Sequence, residues 1–131
     1  MNTKLNQILA EISAGELLDK ITILEIKREK ITDSEKLKNI NKELSSLTKT
    51  SDEKIPDKKR IEDLVSNLKK INLKLWDIEE NKRKAEKDKK FDDAFIQLSR
   101  DVYKLNDERA KIKLKINETL GSNIQEVKSY Y

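Results

Sequence analysis

Two arginines occupy positions where the surrounding sequence calls for apolar residues. Arg109 interrupts a helical series of apolar residues within 95–116, and Arg28 interrupts a second series within 17–31. Each guanidinium is therefore expected to be partly buried, and a buried charge needs a carboxylate partner. Such pairs either fix the register of packed helices or bind an anionic ligand. The candidate carboxylates are Asp19, Asp77, Glu79, Asp101 and Asp107.

A possible binding site surrounds Arg109 once the helices are aligned. An antiparallel pairing of the two helices that carry Trp76 and Arg109 places Asn72 near Arg109 and Trp76 near Leu105. Trp76 is the only tryptophan and suits either core packing or stacking on a ligand. The candidate binding residues are Asp19, Lys20, Lys27, Arg28, Trp76, Asp77, Tyr103, Asn106, Asp107 and Arg109.

Composition removes most catalytic chemistry from consideration. The chain has no cysteine and no histidine, which excludes disulfides, thiolate or imidazole metal sites, and catalysis by a cysteine or histidine side chain. Any reaction would depend on carboxylates, lysine, arginine or tyrosine. We therefore predict no catalytic residue, no metal site and no cofactor.

The net charge of +4 is concentrated in one segment, residues 82–90, which has the sequence KRKAEKDKK. A nucleic-acid contact would use such a patch. No aromatic residue is interleaved with these lysines, however, so a solvated helix end whose cations offset the helix dipole is the favoured interpretation. The sequence thus disfavours nucleic-acid binding.

The elements that must position these residues are long helices. Only two glycines and one proline are present, too few for the turns of a many-stranded sheet. A heptad stripe predicts a third helix over about 57–88, and a fourth is expected from Asp92 to Gly121. A short connection makes them an antiparallel hairpin. The stripe consists of Ile61, Leu64, Leu68, Ile71, Leu75 and Ile78.

Two shorter helices precede the hairpin. Ser13 and Glu16 form a capping-box pattern that starts a first helix running to about Ile31, and residues 32–35 repeat the pattern for a second helix. Residues 49–57 are polar and contain Pro56, so we expect a loop there, with Pro56 in the first turn of the third helix. Alternating residues Ile124 and Val127 suggest a small terminal β-ladder with Leu9–Ile12.

Several segments resemble an uncharacterised family of small helical bacterial and phage proteins. They are GELLDKITILEIK at 15–27, LWDIE at 75–79, VYKLNDERA at 102–110 and the tail at 126–130. The resemblance implies a helical fold and supplies no activity. It places the motif residues on the first, third and fourth helices, away from the basic segment.

We therefore predict one all-α domain over 1–131: an elongated, coiled-coil-like antiparallel hairpin with two shorter helices packed along it. We expect a non-enzymatic interaction or scaffold protein. The alternative is a small-anion-binding or metal-free helical enzyme with chemistry like that of chorismate mutase. A cytoplasmic location without membrane insertion is expected. A protein partner or a homodimer is also expected, because five apolar residues lie off the main seams: Ile23, Ile26, Val65, Leu73 and Trp76.

Overall fold

A computed structural model of the protein describes residues 4–128 and is all-α in that range. The helices are α1 (Ala14–Lys30), α2 (Ser34–Lys54), α3 (Glu62–Asp88) and α4 (Asp93–Leu120), with a 3₁₀ turn at Lys59–Ile61. No strand occurs within 4–128, and the expected terminal β-ladder is wrong. Side chains join the two ends instead: Ser122 Oγ accepts a hydrogen bond from the Ala14 N–H at 3.1 Å, and Asn123 bonds to Glu11.

Most helix ends lie where local side chains can satisfy the free backbone groups. Ser13 Oγ accepts from the Glu16 N–H at 3.1 Å, and Asp92 accepts from the Phe95 N–H at 3.2 Å. Gly121 ends α4 in the left-handed conformation, with φ of 64°. The predicted bounds of α1, α3 and α4 are confirmed to within a few residues at their capped ends.

The α2 helix is longer than its polar sequence suggests. The loop expected over 49–57 is wrong for residues 49–54, because α2 continues to Lys54. Ser51 and Ile55 are both buried at the end of this helix, so tertiary contacts stabilise a turn that has no apolar stripe of its own. Pro56 then forces Ile55 out of the helical region, and the chain reaches α3 through the 3₁₀ turn rather than by placing Pro56 in its first turn.

The helix at the centre of the packing is α1, which contacts α2, α3 and α4. Helix α2 carries a narrow apolar stripe of Leu37, Ile40, Leu44 and Leu47 and packs along α1. Helix α3 packs against α4 across the four-residue turn 89–92. The main core joins all of these elements, and a second, smaller cluster lies between α1 and α2. The main core contains Leu17, Leu18, Ile55, Ile61, Leu68 and Ile116; the smaller one contains Leu24, Ile40 and Leu44.

Within α3 and α4, the buried residues lie only at the end of the helix pair that α1 covers. No residue from 73 to 112 is buried, and we call this stretch, with the turn it contains, the distal segment. Exposed apolar residues lie there, in the N-terminal stretch, at Leu114 of α4 and in the tail; examples are Phe91, Ile96, Leu9 and Val127. The expectation that Ile26 adds to the surplus apolar surface is wrong, because Ile26 is buried inside the protein.

Candidate functional site

The site is centred on the carboxylate of Asp19, which is only 1% exposed and lies in the middle of α1. Arg109 of α4 donates a hydrogen bond to each of its two oxygens: Nε donates to Oδ1 at 2.9 Å, and Nη2 donates to Oδ2. The Asn72 side-chain amide of α3 donates to the same Oδ1 at 2.9 Å. One carboxylate thus connects three helices, and its planar geometry matches the guanidinium fork.

Thr22 completes the hydrogen bonds on the inner side of Asp19. Its hydroxyl donates to the Asp19 carbonyl at 2.8 Å and accepts from the Asn72 amide at 2.9 Å. Within residues 4–128, no buried side-chain nitrogen or oxygen lacks a hydrogen-bond partner. The polar groups at this three-helix junction are therefore satisfied, which is the condition for burying them without a large energetic cost.

Lys113 lies one turn beyond Arg109 on α4 and links α1 to the C-terminal tail. Its ammonium donates to Glu16 Oε2 at 2.7 Å and to Glu126 Oε2 at 2.9 Å, and it is 3.9 Å from the Asp19 carboxylate. Its side chain is 11% exposed. We call the charged group of Glu16, Asp19, Arg109, Lys113 and Glu126 the network.

Gly15 allows α1 to approach α4 closely enough for this network to form. The Gly15 N–H donates to Asn117 Oδ1 at 2.6 Å. A Cβ at this position would lie 2.5 Å from the Lys113 carbonyl oxygen, which is closer than real Cβ contacts allow. Only glycine fits this contact between two helix backbones without a displacement of one helix.

Contacts in the network favour the charged forms of Arg109, Lys113 and Glu126. The hydrogen bond to Asp19 raises the pKa of Arg109 above its usual value despite partial burial. Burial opposes the charge on Lys113, but hydrogen bonds to Glu16 and Glu126 outweigh it, and the pKa of Lys113 is raised. The hydrogen bond from Lys113 in turn lowers the pKa of Glu126. At neutral pH the side chains of Arg109, Lys113 and Glu126 are therefore charged.

Two clefts border Arg109. The first, which we call the polar cleft, has a volume of about 150 Å³ and is lined by Glu16, Asn106, Arg109, Ala110, Lys113 and Lys128. The second, of about 400 Å³, is larger and less polar, and Lys27, Trp76 and Arg83 lie along it. Arg109 separates the two, so a change in its position would alter both clefts.

The structure brings some of the predicted site residues together and separates others. Asp19 and Arg109 meet in the network, and Asn106 lies beside it, where it accepts a hydrogen bond from Arg109 Nη1 at 3.4 Å. Lys27 and Trp76 line the second cleft. Lys20 is exposed and lies 4.0 Å from Glu16, on the rim. Whether any of these residues binds a ligand stays a prediction.

Four predicted residues lie apart from the network. Arg28 is exposed and lines a groove between α1 and α2, so the expectation that it is partly buried is wrong. It belongs to the last turn of α1, which packs against α2 through Leu24 and leaves Arg28 outside that contact. Asp77 is exposed in another groove of α3 and α4, Tyr103 is 57% exposed, and Asp107 is half-buried.

Sequence reasoning missed Glu16, Lys113 and Glu126 as members of the site. A partial signal existed, because Glu16 and Asp19 are three residues apart and Arg109 and Lys113 are four apart, so each helix presents like charges on one face. Two such faces of opposite sign can pair. Nothing in the spacing indicated Glu126, which reaches Lys113 from a non-helical tail.

Other kinds of site receive no support in the part of the chain that the structure describes. Residues 4–128 contain no cluster of three or more side chains able to hold a metal ion. The same range contains no helix long and apolar enough to cross a bilayer.

Comparisons with known proteins place the chain in a family but do not supply an activity. No curated protein matches it, and no solved structure matches it. A model described as "Family of unknown function (DUF6165)" matches residues 8–131, which include every member of the network. That match agrees with the expected membership of an uncharacterised family. It does not bear on whether the family occurs in bacteria and phages, or on which segments carry the resemblance. The protein therefore belongs to the DUF6165 family, whose function is unknown.

Proposed function

We propose that this protein is a non-enzymatic helical interaction module that pairs with a second copy of itself through the distal segment. The observation that carries the proposal is that no residue from 73 to 112 is buried, although apolar residues recur throughout this stretch. Two helices alone provide little core, and a second pair of helices would cover these side chains. The large half-buried or exposed apolar residues are Leu73, Leu75, Trp76, Ile78, Phe91, Phe95, Ile96, Leu98, Val102, Tyr103, Leu105 and Ile112.

One face of α4 supports this proposal in detail. At its C-terminal end this face carries Lys113 and Asn117, which α1 covers. Helix α1 then passes from α4 to α3, where Thr22 meets Asn72, and the rest of the face is left open. The face continues at alternating steps of three and four residues through Ala110, Asn106, Tyr103, Ser99 and Ile96. Tyr103 and Ile96 are 57% and 47% exposed, which makes them natural contacts for a helix of a second copy.

An enzymatic role, which the alternative of a small-anion-binding or metal-free enzyme would require, has less support than an interaction module. A catalytic arginine must be free to bind its substrate, whereas Arg109 already donates two hydrogen bonds to Asp19. The polar groups around it are likewise paired with one another. This arrangement is typical of a network that fixes helix register. We therefore treat Arg109 as a residue that positions α1.

The cytoplasmic location stays a prediction.

Sedimentation equilibrium of the full chain at tens of micromolar tests the pairing. We expect a species of twice the chain mass of 15.3 kDa. The double variant Ile96→Glu, Tyr103→Glu should be monomeric, because it places two charges on the proposed contact. Leu114→Glu is the matched control, since Leu114 is also exposed on α4 but lies outside the distal segment. This control should remain dimeric.

Two results would contradict the proposal. The first is a native protein that is monomeric at this concentration. The second is a dimer that the double variant leaves intact while Leu114→Glu disrupts it, which would move the interface to the other end of α4.

A further inference from the structure

Beside the polar cleft, Lys113 bonds to a carboxylate that comes from outside the packed helices. The Lys113 ammonium donates hydrogen bonds to two carboxylates. One belongs to Glu16 of α1, at 2.7 Å, and the other to Glu126 of the tail, at 2.9 Å. Glu16 belongs to the packed helices, whereas Glu126 lies in the non-helical stretch after Gly121. The side chain of Glu126 is 45% exposed, compared with 11% for Lys113. Glu126 is thus a surface carboxylate that bonds to the buried ammonium of Lys113.

The residues that line the cleft carry a positive net charge. The cations are Arg109, Lys113 and Lys128, all of which line the cleft. Glu16 is the acidic residue of the lining, while Asp19 bonds to Arg109 and Glu126 bonds to Lys113 from outside it. A cleft of about 150 Å³ with a net positive charge and side-chain amide and ammonium donors favours a small oxyanion.

The tail that supplies Glu126 is fastened to the protein at another point. Ser122 accepts a hydrogen bond from the Ala14 N–H and donates to the Ile124 carbonyl at 2.8 Å, and Asn123 bonds to Glu11. Residues 123–128 are all exposed. Withdrawal of the Glu126 side chain therefore breaks its bond to Lys113 and leaves the contacts of Ser122 and Asn123 in place.

We propose that Lys113 and the polar cleft beside it form a carboxylate-binding site, and that Glu126 occupies Lys113 until a carboxylate from outside replaces it. The entering group would accept hydrogen bonds from Lys113 and from the N–H groups of Arg109 that face the cleft, and Lys128 would stand at its edge. Glu126 acts as a competitor that lowers the apparent affinity for the external ligand.

Titration of the full chain with malonate tests this site, with the Asn106 side-chain amide followed by nitrogen-15 NMR, because Asn106 lines the cleft. Glu126→Gln removes the competitor and should tighten malonate binding about fivefold or more relative to the native chain. Glu118→Gln is the matched control: Glu118 is an exposed carboxylate on α4 outside the cleft, and this variant should bind like the native chain. Lys128→Gln, added to Glu126→Gln, should weaken binding.

A second arm identifies the source of the carboxylate. A peptide with the sequence of residues 122–128, added to Glu126→Gln, should bind more tightly than malonate if the natural ligand is an acidic peptide segment. Tighter binding of malonate assigns the site to a free acid, and either result supports a carboxylate site.

The remaining outcomes overturn the inference. Glu126→Gln that binds malonate no better than Glu118→Gln would show that Glu126 does not occupy a ligand site. Inorganic phosphate, or chloride at matched ionic strength, that shifts the Asn106 signal with equal affinity would reduce the cleft to a general anion site. The oligomeric state is measured separately, so failure of this inference leaves the pairing proposal intact, and the reverse also holds.

Discussion

At the scale of single residues, the junction of three helices depends on one buried carboxylate. Asp19 accepts from Arg109 and Asn72, and these donors come from α4 and α3. A buried ion pair of this kind adds little net stability over apolar packing, but loss of one partner leaves the other charge without compensation. The network should therefore determine how α1 is aligned on α3 and α4 more than how stable the fold is.

Arg109→Lys keeps the charge and removes the fork, so it tests the geometry of this pair. We expect the free energy of unfolding to fall by about 1–3 kcal/mol, because lysine cannot donate to both oxygens of Asp19 in the guanidinium plane. Urea unfolding followed by circular dichroism measures the change. Arg100→Lys, on an exposed position of the same helix, is the control and should be neutral. Equal stability of the two variants would contradict a positioning role for Arg109.

Gly15→Ala should destabilise the protein, although alanine is normally the better helix former. The added Cβ would lie 2.5 Å from the backbone oxygen of Lys113, so α1 must move away from α4. We expect a loss of about 1–3 kcal/mol, which is typical of an overpacked contact. Thermal unfolding provides the measurement. An unchanged or higher melting temperature would show that α1 does not approach α4 this closely.

The contact between Lys113 and Glu126 predicts a defined pH dependence. The pKa of Glu126 is lowered in the folded protein, so its contribution is present above the ordinary carboxylate value of 4.5 and is lost as the pH falls through the folded pKa. The pKa of Lys113 is raised, so its contribution is present below 10.5 and is lost as the pH rises through the folded pKa.

The difference in unfolding free energy between the native chain and Glu126→Gln isolates this contact. We expect the difference to be constant between about pH 6 and 9, and to shrink below the carboxylate range. Denaturant unfolding at a series of pH values gives the profile. A difference that grows as the pH falls below 4.5 would mean that Glu126 is not paired with Lys113 in solution.

At the scale of elements, the end of α3 contains a conformation that its sequence does not favour. Lys89 caps α3 with φ of 56°, the left-handed region that costs a side chain about 1 kcal/mol or more. Lys89→Gly should remove this cost and raise the free energy of unfolding by about 0.5–1 kcal/mol, after the greater entropy of glycine in the unfolded chain is counted.

The matched control for Lys89→Gly is Lys87→Gly, which places glycine inside the last turn of α3, where it should destabilise by up to about 1 kcal/mol. Thermal unfolding of both variants shows whether each is more or less stable than the native chain. If both variants were destabilised to the same extent, α3 would extend past Lys89 rather than end there.

At the scale of the whole molecule, shape follows from the length of α4. A helix of 28 residues is about 42 Å long at 1.5 Å per residue. A compact chain of this size has a radius of gyration of about 14 Å. We expect small-angle scattering of the monomeric variant Ile96→Glu, Tyr103→Glu to give a clearly larger value. A value near 14 Å would mean that the distal segment folds back onto the rest of the protein.

Local signals in the sequence determined the helical class and most helix ends. Heptad spacing predicts α3 and α4, while Ser13, Asp92 and Gly121 mark helix ends through contacts made within a few residues. These features depend on neighbours along the chain, which the sequence displays directly. The joining of Asp19 to Arg109 was also within reach, since an arginine in an apolar seam requires a carboxylate.

Only the tertiary structure decided which charges meet and which remain in solvent. Arg28 and Arg109 interrupt their seams in the same way, yet α1 turns Arg28 outward and covers Arg109, because the path of α1 across α4 selects the face that is buried. The extension of α2 beyond its apolar stripe and the need for glycine at Gly15 likewise depend on groups distant in sequence. Glu126 reaches Lys113 for the same reason: a contact between a tail and a helix is set by where the packed helices place them.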